Sequence, residues 1–313
     1  MSCDWLLISG GYCALAYVLY KVVMAVYNIL WPYIIAPPID LHAAAGANWA
    51  VVTGATDGIG KAYAFELAKK GFNIYLVSRT QAKLDDVQKE IREKYDKVDV
   101  RTFAFDFCNG SLEAYKPLLK ALNEVDIGVL INNVGMSYEY PERLHKVEGG
   151  IERLGQITTI NTLPPTMLTA SLLEQMLSRK KGVVVNVSSA ASYNYMPLWA
   201  VYSATKKYVS WFTEILRLEY AGSGIIFQTI SPMMVATKMS KVRRTSYFTP
   251  SAEKFAAAAV RSIGLVSETT GYMSHQIQQE LCNFVPKPIF KVMILKFSEN
   301  TRAAALRKRA KSQ

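Results

Sequence analysis

The 313-residue sequence has few of the residues that build disulfide frameworks, zinc sites and histidine-based active sites. Its four cysteines lie far apart and form no CxxC pair, which argues against a disulfide framework or a structural zinc site. Its three histidines are also scattered, which argues against a histidine metal site or a Ser-His-Asp triad. The residues concerned are Cys3, Cys13, Cys108, Cys282, His42, His145 and His275. We therefore expect chemistry that uses no bound metal ion.

Acidic residues are in the minority, because 36 Lys and Arg residues stand against 25 Asp and Glu residues. Basic proteins often bind nucleic acid, but this sequence has no helix-turn-helix pattern, RNA-binding aromatic signature or zinc-finger spacing. The excess is also local, since residues 287–313 hold eight basic residues and one acidic residue, whereas residues 1–60 hold one basic and three acidic residues. We expect no nucleic-acid partner and favour a membrane surface.

One long segment is almost free of charge. Residues 5–31 are mostly apolar and carry one charged residue, Lys21. A helix that rises ~1.5 Å per residue over this length exceeds the ~30 Å hydrocarbon core of a bilayer. A cleaved signal peptide is the alternative, but no basic residue precedes the run and no compact small-residue cleavage site follows it. We favour an uncleaved membrane anchor over residues 1–45, ended by Pro32 and the pair Pro37-Pro38.

From residue 46 onward, apolar β-branched runs alternate with helical patterns in βαβ order. Strands are predicted over 49–53, 73–77, 99–104, 127–131, 182–187 and 225–230, and helices over 61–70, 80–95, 151–178 and 200–220. Strands that are apolar on both faces indicate a parallel sheet covered by helices. We predict an α/β protein with a doubly wound, Rossmann-type, mostly parallel sheet in one domain, residues 46–280.

A basic C-terminal segment, residues 281–313, follows this domain. Four apolar residues in it recur at the spacing of one helix face, with lysines on either flank; they are Phe290, Met293, Ile294 and Phe297, flanked by Lys291 and Lys296. The pattern is typical of an amphipathic helix at a membrane surface. From spacing alone, a helix that packs on the core with solvated lysines is equally compatible.

A glycine-rich turn follows the first predicted strand, with the sequence Thr53-Gly54-Ala55-Thr56-Asp57-Gly58-Ile59-Gly60, and a helix begins directly after it. Glycines permit a tight turn and let the backbone approach a pyrophosphate, which the helix N-terminus then stabilises. At the end of the second strand, a carboxylate would bind the ribose of NAD, but the sequence has Ser78-Arg79 there. Because a guanidinium can bind a 2′-phosphate, we predict NADP(H) as the cofactor.

A serine, a tyrosine and a lysine lie close together after the fifth predicted strand. That strand ends in Ser188-Ser189, and Tyr202 and Lys206 are four residues apart on one face of the next helix. A phenol with a reference pKa of ~10 is a poor proton donor or acceptor at neutral pH, and a nearby positive charge favours its ionised form. A Tyr-x-x-x-Lys pair alone is commonplace, but this setting indicates general acid–base chemistry.

The glycine turn, the motif Asn132-Asn133-Val134-Gly135 and the set Ser189, Tyr202 and Lys206 together resemble the short-chain dehydrogenase/reductase family. The resemblance implies that Ser189 binds the substrate carbonyl and that Tyr202 protonates its oxygen. It implies that Lys206 holds the nicotinamide ribose and lowers the pKa of Tyr202. Asn161, on the long preceding helix, matches the fourth catalytic position, where it would hold a water beside Lys206.

The resemblance also implies a set of cofactor-binding residues. They are Thr53, Gly54, Asp57, Gly58, Ile59, Gly60, Ser78, Arg79, Asp106, Asn133, Lys206 and Thr237. In the family, Asp106 matches the position that touches adenine and Thr237 the one that holds the carboxamide. Met233 stands where the family usually has glycine in the segment before Thr237.

A narrower resemblance, over residues 46–60, 132–141 and 202–206, is to the membrane-bound 17β-hydroxysteroid dehydrogenase / very-long-chain 3-oxoacyl-CoA reductase group. It implies NADPH-dependent reduction of a keto group on a lipophilic substrate, either a 17-ketosteroid or a 3-oxoacyl-CoA of fatty-acid elongation. A basic cluster follows the cofactor segment and consists of Lys238, Lys241, Arg243 and Arg244. It modestly favours the acyl-CoA, whose phosphates such residues can bind. A solvated or membrane-facing basic helix explains the cluster equally well. A catalytically idle lipid- or NADP(H)-binding sensor or scaffold is the alternative.

The C-terminal residues bear on location. Arg309 and Lys311, fifth and third from the end, approximate the dilysine retrieval signal of endoplasmic-reticulum membrane proteins. We therefore expect an endoplasmic-reticulum membrane protein with a cytosolic catalytic domain, although the charges beside the anchor are too few for the positive-inside rule to decide orientation. The family resemblance also admits a homodimer, for which the sequence identifies no interface.

Overall fold

The protein is described by a computed structural model that covers residues 2–242 and 244–311. Its centre is one parallel sheet of seven strands in the order β3-β2-β1-β4-β5-β6-β7. The strands are β1 (Trp49–Thr53), β2 (Asn73–Ser78), β3 (Val100–Ala104), β4 (Ile127–Asn132), β5 (Gly182–Val187), β6 (Ile225–Ile230) and β7 (Glu268–Thr269). The first six confirm the predicted strands to within one residue at each end. The sequence did not predict β7, because two residues are too few to form a recognisable apolar run.

Ten helices surround or extend from this sheet within the described residues. They are α1 (Ser2–Leu30), α2 (Leu41–Ala45), α3 (Gly58–Lys69), α4 (Gln81–Lys94), α5 (Leu112–Asn123), α6 (Gly150–Arg179), α7 (Ala200–Glu219), α8 (Ala252–Arg261), α9 (Met273–Phe284) and α10 (Lys287–Ala310). Side chains of α3, α4 and α8 form the core on one face of the sheet, and those of α5, α6 and α7 form the core on the other. This arrangement confirms the predicted doubly wound α/β fold.

The strand order reverses at β1, which lies between β2 and β4. In such sheets the crevice outside the carboxyl ends of the strands at the reversal is where ligands bind. The turn after β1, the loop at residues 133–149 after β4 and the loop at 188–199 after β5 all leave the sheet at this edge. The fold therefore brings the predicted cofactor turn and the predicted catalytic serine to one side of the molecule.

Among the described residues, one helical stretch is long and apolar enough to cross a membrane, Ile8–Ile35 with 28 residues and a mean hydropathy of 1.7. Pro32 does not end it, contrary to expectation. The chain passes Pro32 as a π-helical turn, Trp31–Ile35, closed by a bond from Ala36 N–H to the Trp31 carbonyl at 2.9 Å, and leaves the helix before Pro37. Proline lacks the N–H that would bond to a carbonyl of the preceding turn, so the helix passes it as a wider π-helical turn.

The exit of this helix is fastened to the α/β domain. The Arg261 guanidinium donates to the carbonyls of Pro32 at 2.6 Å and Ala36 at 2.8 Å. The Tyr33 hydroxyl is hydrogen-bonded to Thr269 on the edge strand β7, and Asn28 donates to Glu280 on α9 at 3.0 Å. These bonds fix the direction in which α1 leaves the domain.

Helix α10 divides its apolar residues between two environments. Phe290 and Ile294 are half-buried, whereas Met293 and Phe297 are 55% and 60% exposed. Neither alternative from the sequence holds alone, because the helix packs through one side and presents an apolar row with lysines on the other.

Candidate active site

The glycine turn joins β1 to α3 with almost no free space around it. Gly54 and Gly58 have positive φ angles of 64° and 53°, which favour glycine. A Cβ added at Gly60 would lie 2.3 Å from the Gly54 carbonyl oxygen and 2.4 Å from the Asn133 Nδ2. The Asp57 side chain accepts from the Gly58 N–H at 2.7 Å, whereas the N–H groups of Ile59 and Gly60 find no acceptor among the described residues. These two amides, at a helix N-terminus, suit a phosphate oxygen.

Asn133 and Thr53 lock the turn to the end of β4. The Asn133 side chain donates to the Thr53 carbonyl at 2.9 Å, and the Thr53 hydroxyl accepts from the N–H groups of Asn133 and Val134, each at 3.0 Å. The first and fourth strands are thus tied where the crevice opens. This accounts for both predicted residues as supports of the turn, so they are not themselves required to contact the cofactor.

The end of β2 provides the other predicted cofactor contacts. The Ser78 hydroxyl is hydrogen-bonded to Thr56 in the glycine turn at 3.0 Å. Arg79 is exposed, and its guanidinium makes no hydrogen bond or ion pair within residues 2–242 and 244–311. Asp106, after β3, is exposed and accepts from the Cys108 N–H at 3.0 Å. Arg79 is therefore available to an anionic ligand beside the turn.

The segment after β6 closes over the turn from the opposite side. The methyl group of Thr237 would be 3.2 Å from a Cβ at Gly58, so Thr237 lies directly against the glycine turn. Lys238 forms an ion pair with Asp57 at 2.9 Å, and Lys241 pairs with Glu139. Two of the four bases considered for CoA phosphates therefore already have carboxylate partners, which weakens that reading of the cluster. Arg244 is exposed, and Arg243 lies outside the described residues.

Ser189, Tyr202 and Lys206 meet at the carboxyl end of β5. The Tyr202 phenol lies within the range at which hydrogen bonding with the Ser189 side chain lowers its pKa. The Ser189 hydroxyl accepts from the Ala191 N–H at 3.2 Å. Lys206 is 5% exposed; its Nζ donates to the Val187 carbonyl at 2.9 Å and lies 6.0 Å from the centre of the Tyr202 ring. The Ser188 hydroxyl, which donates to the Lys206 carbonyl at 2.7 Å, holds α7 against the strand.

Burial sets the proton affinities of this group. It raises the pKa of the Tyr202 phenol above its ordinary value, and the hydrogen bond with Ser189 offsets part of that rise. Burial also lowers the pKa of Lys206 to about 8. The Lys206 ammonium donates to the Val187 carbonyl and not to the phenol, so the lowering of the Tyr202 pKa by Lys206 stays a prediction. A bound charged ligand that forms a hydrogen bond with Lys206 or with the Tyr202 phenol would change the pKa values of both residues.

Asn161 lies next to these residues but makes no bond to Lys206. Its amide nitrogen donates to the Met136 carbonyl at 2.9 Å and the Thr205 hydroxyl at 3.0 Å, and its oxygen accepts from the Met136 N–H at 2.8 Å. Gly135 has no room for a side chain, since a Cβ there would be 2.9 Å from the Asn161 oxygen and 3.3 Å from the Lys206 Nζ. Asn161 therefore fixes the loop after β4 against the helix that bears Lys206.

Sequence reasoning missed three residues that shape the site. His275 is fully buried and holds the segment after β6, because its Nδ1 accepts from the Met233 N–H at 3.4 Å and its Nε2 bonds the Met234 carbonyl at 3.2 Å. Burial lowers the pKa of His275 to about 4, so this imidazole is neutral at physiological pH. Glu142 and Arg302 form a further ion pair at 2.7 Å. Partners so distant in sequence give no local signal.

Comparison with known proteins agrees with this geometry. Residues 48–247 match the family model for short chain dehydrogenases. The chain is 63% identical over 316 residues to a very-long-chain 3-oxoacyl-CoA reductase of Caenorhabditis elegans, covering 100% of both chains. It is 51% identical over 304 residues, 97% of each chain, to a C. elegans protein provisionally named steroid dehydrogenase 1.

Among solved structures, a short-chain dehydrogenase from Sphingobium yanoikuyae in complex with NADPH superposes with a TM-score of 0.63 at 24% identity, over 76% of this chain and 96% of that one. The parallel sheet and its glycine turn define a dinucleotide-binding oxidoreductase fold. The chain belongs to the short-chain dehydrogenase/reductase family.

Proposed function

We propose that the protein is an NADPH-dependent reductase of 3-oxoacyl-CoA substrates with long acyl chains, as needed in fatty-acid elongation. The observation that supports this most is the meeting of Ser189, Tyr202 and Lys206 beside the glycine turn, in a chain 63% identical to a reductase of that name. The N-terminal apolar helix suits a substrate that partitions into membranes.

The cofactor crevice fits a dinucleotide with a 2′-phosphate. No side chain fits at Gly60, which keeps the turn tight, and the N–H groups of Ile59 and Gly60 have no partner among the described residues. Those amides would bind the pyrophosphate, and the exposed Arg79 would bind the 2′-phosphate, with Ser78 beside it. Asp106 and Thr237 would contact the adenine and nicotinamide ends, and Lys206 the nicotinamide ribose.

Reduction then follows from the positions of three side chains. NADPH, when bound, supplies the hydride that forms the new C–H bond at the keto carbon. The Ser189 hydroxyl donates a hydrogen bond to the keto oxygen, which stabilises the negative charge that develops there. Tyr202 transfers its phenolic proton to the same oxygen and completes the alcohol. Because burial raises the Tyr202 pKa, the phenol keeps its proton at neutral pH until hydride transfer creates an alkoxide, a stronger base that accepts it.

Ketosteroid reduction is the second candidate, supported by the 51% identity to the provisionally named steroid dehydrogenase. The same three side chains would perform it on a 17-keto group. A catalytically idle sensor is disfavoured, because Asn161, Ser189, Tyr202 and Lys206 are all present, and Ser189, Tyr202 and Lys206 meet at the carboxyl end of β5.

Membrane attachment and location form part of the proposal. We infer an anchor over residues 1–45, a catalytic domain over 46–280 and a membrane-facing segment over 281–313, in the endoplasmic-reticulum membrane with the catalytic domain cytosolic. The bonds from Arg261 to the anchor exit support a fixed orientation of the domain toward the bilayer. Arg309 is ion-paired with Glu148, so a retrieval receptor would have to compete with that carboxylate.

The outer face of α7 supports a homodimer. Tyr208, Trp211, Ile215 and Leu218 follow one face of the helix and are 41%, 62%, 40% and 69% exposed. Such an apolar row suits a self-complementary two-fold contact with a second copy. Light scattering of the full chain in detergent should give a dimer, and Trp211→Glu should give a monomer; a monomeric parent would contradict this interface.

The test of function is competition between substrate classes in one membrane preparation. NADPH oxidation is followed with long-chain 3-oxoacyl-CoAs, with 17-ketosteroids and with both together. We expect a much higher kcat/KM for the acyl-CoAs and loss of turnover in Tyr202→Phe with NADPH binding retained. Turnover of steroids alone would favour the second candidate, and full turnover by Tyr202→Phe would overturn the assigned roles.

A further inference from the structure

Helix α10 crosses the side of the molecule on which the loops after β4 and β5 lie. Lys291, near its start, places its ammonium 5.1 Å from the ring centre of Tyr195, in the loop after β5. Toward its end, Arg302 pairs with Glu142 and Arg309 with Glu148, both in the loop after β4. The helix therefore spans from one loop that flanks the active site to the other.

The Glu142 contact is the buried one of these three. Glu142 is 5% exposed, and the Arg302 Nε donates to its Oε1 at 2.7 Å. The same oxygen accepts from the Arg143 N–H at 2.7 Å. The hydrogen bond from Arg302 holds the pKa of this carboxyl below its ordinary value. A buried carboxylate whose main partner is Arg302 would be left uncompensated if that guanidinium were removed.

Glu142 also connects to the loop before the catalytic tyrosine. Its backbone N–H donates to the Leu198 carbonyl at 2.9 Å, and Leu198 has a positive φ of 67°, a strained conformation for a leucine. The next residue, Trp199, stacks on Tyr138 with ring centres 5.6 Å apart and meets the ring of Tyr202 edge-on at 6.2 Å. The loop that carries Trp199 is thus held in place partly through Glu142.

The Tyr138 side of this arrangement reaches the start of α7. The Tyr138 hydroxyl accepts from the Val201 N–H at 3.1 Å, one residue before Tyr202. Arg153 in turn donates to the Ser137 carbonyl at 2.9 Å. The aromatic pair Tyr138 and Trp199 therefore lies beside the Tyr202 ring, and Glu142 links the Trp199 loop to Arg302 of α10.

We propose that α10 forms the outer wall of the substrate entrance. Arg302 and Glu142 are positioning residues that hold this helix where a long acyl chain can contact it. The inference rests on the proposed function, since it concerns the acyl part of that substrate. Phe290 and Ile294 are half-buried on α10, and Phe290 lines a cavity together with Tyr193 and Asn194 of the loop after β5. A short substrate would end before these residues, whereas a long acyl chain would extend along them.

The experiment compares acetoacetyl-CoA with a 3-oxooctadecanoyl-CoA on the full chain in detergent. The variants are Arg302→Met, Glu142→Gln and the double variant, with Lys308→Met as a control that removes an exposed charge from the same helix. We expect each single variant to raise KM for the long substrate roughly tenfold, the size of effect that misplaced apolar pocket contacts produce. The double variant should resemble the singles, because the two residues act as one pair.

The readouts separate positioning from general damage. For Arg302→Met and Glu142→Gln, kcat/KM should fall much less for acetoacetyl-CoA than for the long substrate. Every value for Lys308→Met should stay within about twofold of the parent. An equal loss with both CoA substrates, or the same loss in Lys308→Met, would overturn the positioning role. Should Arg302→Met fail to fold, the near-isosteric Glu142→Gln gives the same comparison. A parent enzyme that reduces neither CoA would instead overturn the proposed function, and this inference with it.

Discussion

Replacing Lys206 with methionine should abolish turnover and yet stabilise the fold at neutral pH. Lys206 is 5% exposed, and burial lowers its pKa to about 8 from an ordinary 10.5. A lowered lysine pKa means that the folded protein binds this proton less tightly than the unfolded chain does. Below pH ~8 both states are protonated, so the folded state bears the full cost of burying the charge.

The magnitude follows from that difference in pKa. A change from 10.5 to about 8 corresponds to about 3 kcal/mol of destabilisation by the buried ammonium. Methionine also loses the hydrogen bond to the Val187 carbonyl, which costs about 1 kcal/mol. We expect Lys206→Met to be more stable by about 2 kcal/mol at pH 7, with a smaller advantage as pH rises toward the unfolded-state pKa, where the parent lysine is neutral in the folded state.

Thermal unfolding of the full chain in detergent, at pH 7 and at about pH 10, measures this effect. For a protein of this size, 2 kcal/mol corresponds to a rise in Tm of about 3 °C at pH 7. Lys207→Met, which removes an exposed charge from the same helix, should change Tm by about a degree or less. A lower Tm for Lys206→Met at pH 7, or a gain that is equal at both pH values, would refute the reasoning.

Three further predictions concern the cofactor turn and the anchor. Gly60→Ala places a methyl group 2.3 Å from the Gly54 carbonyl oxygen. We therefore expect the Kd for NADPH, measured by fluorescence titration, to rise about tenfold or more. An unchanged Kd would contradict the turn geometry. Arg79→Asp removes the proposed 2′-phosphate partner, and steady-state kinetics should show KM for NADPH raised about tenfold with little change for NADH, whereas equal changes would argue against that contact. Arg261→Met loses two bonds to the anchor exit, and limited proteolysis should cut residues 31–40 faster while turnover persists; parental cleavage rates would show that these bonds do not hold the exit.

The strands and the local motifs were accessible to sequence reasoning because each depends on neighbouring residues. Apolar β-branched runs predict six strands, and their order gives the parallel sheet. The tight glycine turn and the shared helix face of Tyr202 and Lys206 can both be predicted from local backbone geometry. Their proximity to Ser189 is then a consequence of the fold, since all three lie near the end of β5.

Features that depend on distant contacts could not be predicted. The ion pair of Glu142 with Arg302 joins residues 160 positions apart, and no local pattern marks either partner. Burial raises the pKa of Tyr202 and the Lys206 ammonium donates to the Val187 carbonyl, and both depend on how distant segments pack around the site. Continuation of the first helix through Pro32 depends on a π-helical turn held by Arg261, which sequence spacing does not reveal.

The central claim is hydride transfer from NADPH to a 3-oxoacyl-CoA with protonation by Tyr202. Its most direct test is a reaction of purified full-length protein with a long-chain 3-oxoacyl-CoA and NADPH deuterated at the transferable position of the nicotinamide, analysed by mass spectrometry. The account predicts 3-hydroxyacyl-CoA with one deuterium on the former keto carbon, formed by the parent and not by Tyr202→Phe. Product without deuterium, or equal product from Tyr202→Phe, would contradict it.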